Sequence, residues 1–173
     1  MSQTETSNTD QYTELFNLVA RYQQGDSEAA IPVLNMWADF LEGFVLLLRG
    51  GPVNRLTWSH RIFLSTFVKS SGLAKSLKSK NPVSQAFFAA ESALTTVSIQ
   101  IRPIDTDDLR QEINELFLAT LRRYRSRNDQ NYLIPYIQKS FPYALCRRVQ
   151  QLIKDPLVNL ASDKILTLEH FQD

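Results

Sequence analysis

The side chains that most often do covalent or metal chemistry are few in this chain, and they are scattered. His60 and His170 are the only histidines, they lie far apart, and neither has a cysteine or second histidine at metal-ligand spacing. Cys146, the single cysteine, falls on an apolar helical stripe with Leu145 and Val149. That position predicts a buried thiol rather than a nucleophile, and no intrachain disulfide is available to it. Asp105, Asp107 and Asp108 offer carboxylates to a divalent cation, but acidic residues at a helix start are explained more simply by capping and the helix dipole. No catalytic residue, metal site, cofactor or small-molecule substrate is therefore assigned, and the chain reads as a non-enzyme.

A more ordered set of groups begins at Asp107. Asp108, Gln111, Glu112, Asn114 and Glu115 present carboxylates and amides from a segment whose apolar residues, at 109, 113, 116, 117, 121 and 124, recur with a helical period. The polar groups fall opposite or beside the apolar stripe, where they can offer acceptors and amides to a basic partner helix. An ordinary solvated helix face has the same appearance. The segment runs directly into Arg122, Arg123, Arg125 and Arg127, and Arg147 and Arg148 follow on the next helix. These cations suit phosphates; they also suit a helix C-terminus without any ligand. Tyr132, Tyr136, Phe141 and Tyr143 lie between the basic groups, and exposed aromatic rings there could stack on unpaired bases. Phe141 is expected in the core, with Tyr132 and Tyr143 the better candidates for exposure.

The elements that must position these groups are all helices. The first helical stripe, Tyr12 to Tyr22, ends at Gly25; a second, capped by Asp26 or Ser27 and bent by Pro32, runs to the stop at Gly50-Gly51-Pro52. Two more are predicted, from Thr57 to about Leu77 and from Pro82 to Ile101, with a short strand as the alternative over the β-branched run at 95–99. The acidic-amide helix follows, capped by Asp105 or Thr106. Pro135 is expected to begin the next helix, which Pro142 must kink or split, and Asp155-Pro156 to end it. Six or seven helices in one compact all-α domain over residues 10–155 are expected. A disordered leader over 1–9 precedes it, and a tail over 156–173 with a short helix at Lys164 to Phe171 follows.

Composition agrees with a single packed domain. Of 173 residues 43% are hydrophobic, and 19 basic residues nearly balance 18 acidic ones for a formal charge of +1. Attraction to nucleic acid must then come from segregation of charge, which is visible in the acidic start and the basic blocks at 69–80 and 122–127. The longest apolar stretch, Phe44 to Leu48, falls far short of the roughly 20 residues that span a bilayer. With no membrane segment, no basic leader before an apolar stretch and one cysteine, a cytoplasmic location is expected.

Asp108-Leu109-x-Gln111-Glu112-x-Asn114, continued by Leu116, Leu121 and Tyr124, resembles the conserved helical region 2 of the bacterial sigma factors of RNA polymerase. Upstream, Tyr22-x-x-Gly25-Asp26-x-Glu28-Ala29 is similar to the opening of many compact members. The resemblance implies a sigma-like transcription factor without catalytic activity. Asp108, Gln111, Glu112, Asn114 and Glu115 would dock on the clamp helices of the polymerase β′ subunit. Arg122, Arg123, Arg125, Tyr132, Tyr136, Arg147 and Arg148 would contact promoter DNA.

The chain departs from the family pattern in three places. A helical insertion over about 50–103 separates the two matching segments; the tryptophan pair of primary sigma factors would fall near Lys139 and Ser140; and too few residues follow Asp155 for the region 4 helix-turn-helix domain. These departures leave a second expectation open, a helical interaction protein that binds polymerase or another protein as a regulator or structural adaptor without melting promoters.

Overall fold

A computed structural model of the chain describes residues 3–51, 55–71, 82–125 and 132–154, with side chains placed from Tyr12 onward except at 71 and 82–88. All regular structure among them is helical. The elements are α1 (Gln3–Gln23), a 3₁₀ turn (Ser27–Ala29), α2 (Ala30–Met36), α3 (Ala38–Leu48), α4 (Trp58–Ser71), α5 (Pro82–Ile101), α6 (Thr106–Arg122) and α7 (Leu133–Ile153). The loop at 126–131, the basic residues Lys75, Lys78 and Lys80, and the tail from Asp155 with its expected short helix lie outside the described residues.

Two helix ends follow from glycine. At the end of α1, Gly25 (φ 101°) donates its N–H to the Tyr22 carbonyl and Asp26 donates to that of Arg21, both at 3.1 Å. At the end of α3, Gly50 (φ 85°) and Gly51 repeat the pattern toward Leu47 and Leu46 at 3.1 and 2.8 Å. Each is a Schellman cap, whose left-handed residue has almost no steric cost for glycine. Asp26 then starts the next turn, its Oδ1 accepting from the Glu28 N–H at 3.1 Å.

The structure changes several local expectations. The polar opening is helical from Gln3 rather than a disordered leader; once the stripe from Tyr12 has nucleated α1, each further residue gains a hydrogen bond for one residue fixed. The second helix breaks at Trp37, not at Pro32, and its halves meet at 70°. Pro32 lies in the first turn of α2, where a missing N–H costs nothing. Trp37 (φ −109°, ψ 10°) leaves the helical region, and its indole packs 5.1 Å from Phe40 and 5.5 Å from Phe117. The β-branched run at 95–99 is helix, with the Thr95 and Thr96 hydroxyls donating back to the Glu91 and Ser92 carbonyls.

Pro142 does not split the last helix: α7 begins at Leu133, two residues before Pro135, and continues through Pro142 to Ile153. Pro142 has no N–H to give the carbonyl of Gln138, one turn back. The buried Ser59 hydroxyl of α4 donates to that carbonyl instead, at 2.9 Å. A side chain from another helix thus satisfies the acceptor that proline strands.

One hydrophobic core draws on every helix, so α4 and α5, from the segment at 50–103, complete it rather than hang from it. At its centre the ring of Phe44 meets His60 (4.7 Å), Phe141 (5.2 Å) and Phe63 (6.2 Å) edge-on, and Phe141 meets Phe117 at 5.7 Å. These contacts join α3, α4, α6 and α7. No single helix among the described residues is long and apolar enough to cross a membrane.

Candidate docking and nucleic-acid interface

The acidic-amide segment is helix α6, and both of its ends are held. Asp105 is the N-cap, its Oδ1 accepting from the Asp107 N–H at 2.8 Å, with Asp107 and Asp108 in the first turn. Leu109, Ile113, Phe117 and Leu121 are buried, with Leu116 partly so. At the other end the Gln23 amide of α1 donates to the carbonyls of Leu121 and Tyr124, each at 2.8 Å, tying the last turn and the residue beyond it to α1.

The five expected docking residues divide into three groups. Asp108, Gln111 and Glu115, spaced three and four apart, form an exposed ridge on the side away from the core, with Gln111 donating to Glu115 Oε1 at 2.9 Å. Glu112 points along the flank toward α7, where both of its oxygens are held at 2.7 Å by Arg148. Asn114 lies on the opposite flank, in a groove with Asn35, Asp39, Glu42 and Arg110. There Arg110 binds Glu42 at 3.0 and 3.1 Å and also pairs with Asp107. The Arg110 guanidinium holds the Glu42 carboxyl below the usual carboxylate range, and the two carboxylates raise Arg110 in turn.

Helices α6 and α7 are antiparallel, and three rungs fix their register. Glu112 meets Arg148, Phe117 meets Phe141, and Tyr124 meets Tyr136 with ring centroids 5.3 Å apart. The expected DNA-contacting residues therefore occupy two places. Arg122, Arg123, Arg125, Tyr132 and Tyr136 gather at the end where α6 finishes and α7 starts. Arg147 and Arg148 lie about 16–18 Å further along α7, by the 1.5 Å rise per residue.

Several of the seven also have internal partners. Arg122 stands 5.0 Å over the Tyr22 ring, Tyr136 packs on Tyr124, and Arg148 belongs to Glu112. Thus Glu112 and Arg148, expected to serve different partners, serve each other. Arg123, Arg125, Arg147 and Tyr132 are exposed, and Phe141 is fully buried.

Other groups escaped the sequence. Glu42, Gln23 and Ser59 make their contacts across 68 to 101 residues, so no local signal marks them. Trp58, in the first turn of α4, is 57% exposed. It shares its face with Ser65 and Lys69, both exposed, and that polar spacing was the available signal.

Among the described residues, His60 and Cys146 serve the fold. His60 Nδ1 accepts from the Thr57 N–H while Thr57 Oγ1 accepts from the His60 N–H, both at 3.3 Å, a reciprocal cap on α4. Burial lowers the His60 pKa and raises that of the Cys146 thiol. Among the described residues no three His, Cys, Asp or Glu side chains come together to hold a metal. No family model, curated protein or solved structure matches this chain.

Proposed function

We propose that this chain is a small sigma-like transcription factor that docks on core RNA polymerase through the outward ridge of α6 and directs promoter recognition. The observation that carries the reading is the ridge itself. Asp108, Gln111 and Glu115 stand exposed on a helix whose other faces are tied down, and among the described residues no lysine or arginine forms an ion pair with either carboxylate. Their charge is left for a partner, and the basic partner that the family resemblance supplies is the pair of β′ clamp helices. Arg122, Arg123 and Arg125, with Tyr132, supply cations and a ring to promoter DNA beside that ridge. The protein has no catalytic activity of its own in this reading, uses no cofactor, and acts in the cytoplasm with the polymerase.

A second reading, a polymerase-binding regulator or adaptor without promoter melting, is favoured by one feature. Phe141 lies in the core and Tyr136 packs on Tyr124, so two rings of the aromatic set are occupied. Run-off transcription with purified core polymerase separates the readings: the sigma-like protein yields discrete start sites, and the adaptor yields association without new transcripts. Absence of polymerase association at low salt removes both.

A further inference from the structure

Helices α4 and α7 run parallel, since Ser59 bonds the Gln138 carbonyl near one end and Gln150 bonds the Ser70 hydroxyl near the other. Neither helix contains an aspartate or glutamate. Their cations are Arg61, Lys69, Lys139, Arg147 and Arg148, with Lys154 directly following. The acidic groups lie on other elements, six of them on α3 and α6 as Asp39, Glu42, Asp107, Asp108, Glu112 and Glu115. The near-neutral chain is therefore divided by charge.

The outward side of the α4–α7 pair carries exposed aromatic rings among those cations. Trp58 is 57% exposed in the first turn of α4, and its neighbour Ser59 bonds Gln138, the residue before Lys139 on α7, so Trp58 and Lys139 stand at the same level of the pair. Tyr143 is 44% exposed one turn beyond Lys139, on the same face of α7, and Arg147 follows after another turn. Lys69 continues the α4 side near the Ser70–Gln150 contact. The order along the pair is Trp58, Lys139, Tyr143, Arg147, Lys69.

We propose that this face binds single-stranded DNA, with Trp58 and Tyr143 stacking on bases and Lys139, Arg147 and Lys69 following the phosphates. Charge complementarity selects a polyanion, and rings standing among cations select an unpaired strand, whose bases offer their faces where a duplex hides them. Arg147 belongs to the expected DNA-binding set and Tyr143 to the rings the sequence offered for base stacking, but Trp58, Lys69 and Lys139 lie outside both, and the α4 half of the face was not expected. The choice of DNA rests on the transcription reading above; the strand contact does not, because it requires no polymerase.

The test is fluorescence anisotropy of the full chain with labelled dT20, rU20 and a 20-base-pair duplex, for the unaltered protein, Trp58→Ala, Trp58→Phe, Tyr143→Ala and Tyr132→Ala, with thermal melting as the folding control. Trp58→Ala and Tyr143→Ala should each weaken dT20 binding about tenfold with melting unchanged, and Trp58→Phe should restore most of it. Log affinity should fall linearly with log salt. Unchanged dT20 binding in Trp58→Ala, a loss confined to Tyr132→Ala, or tighter binding of rU20 or the duplex overturns the proposal. Capture of core polymerase by the same proteins is read separately: its absence defeats the transcription reading while strand binding by Trp58 and Tyr143 still stands.

Discussion

At the scale of single residues, this fold relies on polar contacts whose two partners are far apart in sequence. Ser59 is the clearest case, since its hydroxyl answers the Gln138 carbonyl that Pro142 leaves without a donor. Replacing Ser59 with alanine should destabilise the protein by about 1–3 kcal/mol, the cost of a buried unsatisfied acceptor. Adding Pro142→Ala to Ser59→Ala should recover much of that, because the second substitution restores a backbone N–H one turn beyond Gln138; urea melts of the two variants check it. His60 gives a second prediction. Burial holds its folded pKa below the roughly 6.5 of an unfolded histidine, so its contribution is complete above that pH. It is lost as the pH falls from there through the lowered folded value. Protonation also removes the Nδ1 acceptor of the Thr57 cap. The urea midpoint should therefore drop between pH 7 and pH 5 in the unaltered protein, and drop less in His60→Gln, whose amide can replace the ring in the cap.

At the scale of elements, α6 was the most legible part of the sequence because what defines it is local. A carboxylate cap, a 3.6-residue apolar stripe and a basic end all lie within one segment, and the structure places Asp105 and the buried residues as that pattern requires. The α7 break expected at Pro142 failed for the opposite reason, since the compensating hydroxyl is 79 residues away. The polar character of the expected docking set was legible, but its grouping was not. Periodicity could put Glu112 beside the ridge, yet only packing shows that Arg148 holds it. From this we expect Glu112→Gln to cost no more than about 1 kcal/mol of stability, as half-exposed ion pairs do, and to weaken polymerase binding less than Gln111→Ala with Glu115→Gln. Equilibrium melts and core-polymerase titrations of these variants measure both halves. The glycine at the end of α3 was also legible, and Gly50→Ala should lower stability by about 1–2 kcal/mol because φ is +85° there.

At the scale of the whole molecule, a formal charge of +1 conceals two faces of opposite sign. Composition could exclude a uniformly basic nucleic-acid binder but could not locate either face, because α4 and α7 are adjacent only after folding. In the proposed reading the molecule uses two independent surfaces, the acidic ridge of α6 for a basic protein partner and cationic, ring-bearing surfaces for nucleic acid. Substitutions on one should leave the other's binding intact, since sites well separated and without shared partners contribute nearly additively. The most direct test of the docking claim is a titration of labelled protein with purified core RNA polymerase, using the unaltered chain and the triple variant Asp108→Asn, Gln111→Ala, Glu115→Gln. The account predicts saturable binding that weakens at least about tenfold in the variant, a loss of roughly 1.4 kcal/mol, with melting unchanged. Equal affinity for the two proteins, or no binding by the unaltered chain, would contradict it.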